Sequence, residues 1–218
     1  MISEYVSQMA KRGGMAKSTG FAVRFIMPEP LKEHLQTCGI AVQPEAMPLY
    51  QEFCDEATLP PSQAQTGQLN GRFQGEGSIS YPHTKMYTDM SLSWMADANM
   101  EPYKFVQAWW QFIFGEFDAE GKSYEESGYY NQTNDKVYNR PTRLRFPKEY
   151  NTKIMVIKAE RGPNSEVDRT SMAHIMQDAY PYSVDSVPLS FGMDSLVKVT
   201  ANFHYSKHFV KYADLRAT

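Results

Sequence analysis

From Val197 to Tyr205 the chain sets an apolar side chain at every second position: Val197, Val199, Ala201, Phe203 and Tyr205. Lys198, Thr200, Asn202 and His204 fill the gaps. A period of two is the signature of a strand with one buried and one wetted face. No catalytic motif accompanies it, and the first expectation is a structural protein built on sheets.

The remaining signals extend that reading. Thr19–Met27 predicts a first strand, closed by Pro28 and Pro30. A short helix is expected around Leu31–Gln36, and a second strand over Leu49–Cys54 that stops at Leu59-Pro60-Pro61. Gln65–Tyr81 is glycine-punctuated and low in bulk, which predicts a bent hairpin arm. Met86–Trp94 alternates and predicts another strand. Thr152–Ala159 is apolar on nearly all sides and reads as central. Thr170–Gln177 is expected to form a short helical turn. Tyr182–Phe191 and Leu196–Val210 are expected to form two strands joined by the turn Gly192–Ser195. Seven or eight strands with no βαβ rhythm predict a mainly β fold, a two-sheet sandwich or barrel with one flanking helix.

That helix follows Asn99, a plausible N-cap, with Glu101 and Pro102 in the first turn and Gly115 at the end. Phe105, Trp109 and Phe112 line its core face with Val106 and Ile113. Burying five such side chains at roughly 1.5–3 kcal/mol each gives a gross docking term of about 8–15 kcal/mol. This exceeds the helix-propensity deficit of the aromatics, at most ~0.7 kcal/mol each. The helix is expected to plug a sheet.

Two regions look like appendages. Residues 1–18 are small and polar and read as an N-terminal arm ahead of a domain over 19–218, interrupted by insertions at 28–48 and 116–147. The second insertion runs from acidic (Glu116, Asp118, Glu120, Glu125, Glu126) to basic (Lys136, Arg140, Arg143, Arg145), with Tyr124, Tyr129, Tyr130 and Tyr138 between. Such a loop is expected to fold on itself or on a partner.

Chemistry is sparse. The five histidines show no metal-ligand spacing; His204 and His208 share a strand face but stand about 13 Å apart in extended chain. No HExxH, GxSxG, P-loop or dinucleotide fingerprint occurs. Cys38 and Cys54 make no disulfide framework, and Cys54 reads as a small core hydrophobe. No catalytic residue, metal site or cofactor is expected. A net charge of −3 argues against a basic nucleic-acid binder. The N-terminus lacks an apolar signal region and no run of 18 apolar residues occurs, so neither export nor a membrane span is expected.

Several segments together resemble one family. Phe53-Cys54 with Ala57-Thr58-Leu59-Pro60 precedes the glycine-rich arm. Asp89 and Leu92-Ser93-Trp94 then lead into the helix with Phe105 and Trp109. Ile154–Lys158, Ala179-Tyr180-Pro181, Val187-Pro188-Leu189 and the alternating strand complete the order. The sequence is similar to the tail tube proteins of contractile-tailed bacteriophages. The resemblance implies hexameric rings whose hairpins join into one barrel, stacked into a tube inside the sheath. It implies contact with sheath, baseplate and tail terminator proteins, and a lumen that passes DNA and the tape measure protein without binding them. The expected location is the virion tail, assembled in the host cytoplasm. Gln68, Leu69, Asn70, Phe73, Gln74 and Ile79 in the arm are the expected subunit contacts, and Met9, Lys11, Arg12 and Met15 the expected inter-ring contacts. Six copies at −3 carry a formal −18, in keeping with a non-adhesive wall. A baseplate tube initiator, a secretion or pyocin inner tube, and a ligand-binding sandwich stay open as alternatives.

Overall fold

The computed structural model describes residues 2–11, 14–42, 49–70, 77–115, 144–161, 168–189, 191–192 and 196–212. In chain order these hold α1 (Ile2–Lys11), β1 (Phe21–Ile26), α2 (Glu29–Thr37), α3 (Leu49–Glu52) and β2 (Cys54–Ala57). Next come β3 (Gln63–Asn70), β4 (Ser78–Met86), β5 (Met90–Met95) and α4 (Glu101–Phe114). The rest is α5 (Pro147–Tyr150), β6 (Thr152–Arg161), β7 (Asp168–Val184), β8 (Lys198–His204) and β9 (Lys207–Tyr212).

Two sheet leaves share the long strand β7. Its first half pairs antiparallel with β6 and β9, and β1 completes that leaf beside β6. Its second half pairs with β8, which continues through β5 to β2. The chain changes leaf at one corner. Asp178 takes φ 55°, a left-handed conformation that Asp tolerates better than most residues, and supplies a bulge opposite β6. Ser206 sits across from it, with its N–H on the Gln177 carbonyl (3.0 Å) and its hydroxyl donating to Asp178 Oδ2 (2.7 Å). Ser206 and Tyr205 separate β8 from β9, and both strands of the corner pass between leaves together.

The alternation at the chain's end holds as a packing fact: Val199, Ala201, Phe203 and Tyr205 are buried. Phe203 meets Trp94 at 6.3 Å, and Trp109 of α4 reaches Phe203 (5.8 Å) in one leaf and Phe25 (6.3 Å) in the other. Trp109 Nε1 donates to the Tyr150 carbonyl, which satisfies the indole while its rings stay dry. Phe105, Trp109 and Phe112 are all buried, and the aromatic helix fills the space between the leaves. Leu31 and Leu35 of α2, with Ile40 just beyond it, join the same core, and the His34 ring lies 4.9 Å from that of Phe112.

Several expectations need correction. Leu49–Cys54 is not a strand: after Pro48 the chain makes the short helix α3, and extended pairing starts only at Cys54. Thr170–Gln177 is not helical but lies within β7. It is covered on both edges by β6 and β9, so long-range pairing overrides local preference. The expected strand Tyr182–Phe191 ends at Val184, and its connection to β8 spans 185–197; the Met193–Ser195 part of the expected turn lies outside the described residues. Leu196–Val210 breaks at Tyr205–Ser206. His204 and His208 therefore do not share a face: His204 is exposed and bonded to Asp89 (2.9 Å), while His208 is buried. Met86–Trp94 likewise breaks at 87–89. Asn99 is not the cap of α4. Met100 occupies that position at φ 55°, and Asp97 Oδ1 accepts the Glu101 N–H at 2.7 Å in its place.

Candidate assembly interface

Strands β3 and β4 form a two-stranded ribbon apart from the seven-stranded sheet. Its register sets Gln68 opposite Ser80 and Asn70 opposite Ser78 on one face, and Leu69 opposite Ile79 and Gly67 opposite Tyr81 on the other. The ribbon is thus amphipathic near its tip. Among the described residues nothing covers either face: Leu69 is 54% exposed, Ile79 52% and Tyr81 45%. An isolated hairpin is marginal in water, and unpaired strand borders invite further pairing. Between Gln63 and Asn70 and between Ser78 and Met86, Lys85 is the one formally charged residue. Phe73 and Gln74 lie outside the described residues.

Gly67 explains how the apolar face is arranged. A Cβ there would stand 3.1 Å from Tyr81 Cζ and 3.3 Å from His83 Cδ2, so the tyrosine ring lies across the glycine. At the ribbon's root, Tyr87 packs edge-on against Tyr205 (6.1 Å) and His208 (5.3 Å), with Lys85 Nζ 4.9 Å from the Tyr87 ring. The root is held by the core.

The N-terminal segment is a second appendage. Within the segment read from the sequence as a small, polar arm, α1 carries Ile2, Tyr5, Val6 and Met9 at i, i+3, i+4 and i+7, an apolar stripe. None of its residues is buried. That stripe is visible in the sequence to anyone counting helical offsets. Met9 is half-buried, Lys11 and Met15 are exposed, and Arg12 lies outside the described residues. Of the 116–147 insertion only residues 144–147 are described; Arg145 stacks over Phe112 at 4.2 Å.

Reactive groups are arranged for packing. Cys38 Sγ stands 3.6 Å from His34 Nε2 across one turn of α2, a pair that sequence reading passed over. Burial raises the Cys38 thiol and lowers His34, so each is held neutral. Burial pushes Cys54 up to about 12, far from a thiolate at neutral pH. No group of three or more metal-ligating side chains is present among the described residues. No helix there is long and apolar enough to cross a membrane.

Among the described residues, the plugged β body leaves a ribbon and a helix exposed, features that suit an assembly subunit. The phage tail tube protein family matches residues 16–211, and the chain belongs to that family. Among solved structures, it is similar to a chain of the sheath–tube complex of the PVC extracellular contractile injection system in its extended state. Identity is 11% and the TM-score 0.50, over 95% of this chain and 97% of that one, and the fold is shared. A chain of the anti-feeding prophage baseplate aligns at 11% identity and TM-score 0.48, over 92% and 98%. An Hcp protein aligns at 5% and 0.40, over 89% and 99%. No curated protein matches the sequence.

Proposed function

We propose that this chain is the subunit of a hollow tail tube, six copies to a ring, in which each β3–β4 ribbon pairs with its neighbours to close one barrel. The observation that carries this is the ribbon's two unlike faces. The apolar face of Leu69, Ile79 and Tyr81 needs cover, and a sister subunit's body supplies it. The face of Gln68, Asn70, Ser78 and Ser80 then lines the channel. A wall of amides and hydroxyls offers phosphate no clustered cations, so a polyanion slides without the counterion-release term that drives adhesion. DNA and a tape measure protein would pass such a lumen unbound. A head-to-tail contact of this kind closes when its rotation divides the circle, and closure removes the exposed borders.

The N-terminal helix, with Met9, Lys11, Arg12 and Met15, is read as the contact between successive rings. The outer body is read as the face met by sheath, with baseplate and terminator proteins at the ends. The tube acts without catalysis, metal or cofactor, in a virion tail assembled in the host cytoplasm. The test is electron microscopy of the concentrated protein. Intact chain should give rings or tubes, and chain lacking Gln65–Tyr81 should give folded monomers. Assembly that survives the deletion overturns the reading.

A further inference from the structure

The place where the N-terminal segment leaves the body is built with unusual care. Lys158, on β6, is mostly buried, and its ammonium donates to the Lys17 carbonyl, to the Gly20 carbonyl (3.0 Å) and to the Ala159 carbonyl (3.4 Å). It also pairs with Glu160, whose Oε1 in turn accepts the Lys17 N–H at 2.9 Å. The crossing chain is therefore gripped on both its carbonyl and its amide side. Gly20 lets it come this close: a Cβ there would run into the Ala159 carbonyl oxygen. The Ala159 N–H donates to the Gly20 carbonyl (2.9 Å), which extends the β1–β6 ladder up to the crossing. Ser171 adds a donor to the Lys158 carbonyl from β7 (3.2 Å), so the clasp is tied across the leaf.

A loose tail needs no such clasp. Surface ion pairs contribute little to stability, whereas one that holds backbone groups of a distant segment fixes a direction. We infer that Lys158 and Glu160 are positioning residues that aim the N-terminal helix of each subunit at the next ring. This rests on the reading of that helix as an inter-ring contact. Aim matters because α1 carries its apolar stripe on one side only, and a swivel at Lys17 would turn that stripe away from its seat.

The experiment compares full-length chain, Lys158→Met, Lys158→Arg and Glu160→Gln, and a chain beginning at Thr19, by electron microscopy and sedimentation. Removing residues 1–18 should leave rings and abolish stacking; tubes of normal length from that chain would defeat the arm reading itself. With the arm shown to matter, Lys158→Met should keep rings but shorten tubes at least several-fold, with Glu160→Gln milder and Lys158→Arg near normal. Trypsin should cut within residues 11–17 faster in Lys158→Met rings than in wild-type rings. In the chain beginning at Thr19, Lys158→Met should change nothing further in assembly. Normal tube lengths for Lys158→Met, or an equal loss of rings in both backgrounds, would overturn the positioning role. Should Lys158→Met misfold, Glu160→Ala decides in its place, since it removes the acceptor that holds the Lys17 amide while leaving the lysine; normal tube lengths for it would overturn the positioning role.

Discussion

The helix α4 and the ribbon β3–β4 are built from similar amounts of chain and put it to opposite uses. Along α4, Phe105, Val106, Trp109, Phe112 and Ile113 are all buried, and every large ring has a neighbour. Along the ribbon the apolar residues are fewer, alternate with amides and hydroxyls, and stay in water. The first region completes the fold within one molecule. The second, on the proposed reading, is complete only between molecules. Stability of the subunit and competence to assemble should therefore separate cleanly by mutation.

The widest separation comes from paired substitutions. Trp109→Ala removes the ring that bridges the two leaves and leaves the Tyr150 carbonyl only the Thr152 hydroxyl as donor, and should cost about 3–5 kcal/mol of subunit stability. Leu69→Asp with Ile79→Asp sets two carboxylates opposite each other and weakens the ribbon itself, but should change the stability of the sheet body by about 0.5 kcal/mol or less, because both positions are exposed. The same pair should abolish rings, since it puts two carboxylates into a face that needs cover. Thermal unfolding beside negative-stain microscopy reads both. A large loss of melting temperature in the ribbon variant would break the contrast.

The same contrast explains what the sequence disclosed. Helix α4 was legible because its burial is dictated by its own periodicity and its stop by Gly115, which does sit in the left-handed conformation. The alternation from Val197 to Tyr205 was legible for the same reason. What failed depends on distant partners. Thr170–Gln177 shows no clean alternation, and its extended conformation is fixed by ladders to β6 and β9 on both edges. The break at Ser206 is set by Gln177 and Asp178, nearly thirty residues away. In the ribbon, the glycines and polar positions marked a hairpin, but the pairing of Leu69 with Ile79 emerges only from the register. The stripe on α1 was present in the sequence and hidden by its small, polar neighbours.

Acid should act on the body more gradually than those substitutions. Burial lowers His34, His174 and His208 below the ordinary value of 6.5, and Lys85 and His174 add to the effect at His208. The folded state therefore binds fewer protons than the unfolded one. The stability so contributed is present above about pH 6.5 and is lost as pH falls toward the lowered values. Melting temperature should drop between about pH 7.5 and 5. The groups facing His208 are His174 on β7, Lys85 and Tyr87 at the ribbon root, and Tyr205 after β8. His208→Gln should flatten the pH slope while lowering stability at neutral pH. A slope unchanged by that substitution would place the acid sensitivity elsewhere in the body.

The smallest expected effect is the most specific to the ribbon. At Gly67 an added methyl meets the far end of the Tyr81 side chain and the His83 ring edge, groups that can swing aside. Gly67→Ala should leave the subunit's melting temperature within a few degrees, since no backbone or core atom stands in the way. It must, however, lift the Tyr81 ring off the strand and thicken the apolar face beside Leu69 and Ile79. If that face is what a sister subunit covers, the concentration needed for rings should rise several-fold while the rings that form look normal. Tyr81→Phe keeps the ring across Gly67 and should be close to neutral. Sedimentation across a concentration series measures both variants. An assembly threshold that ignores the methyl group would mean the covered surface lies on the ribbon's other face, and the two faces would then have to exchange their assignments.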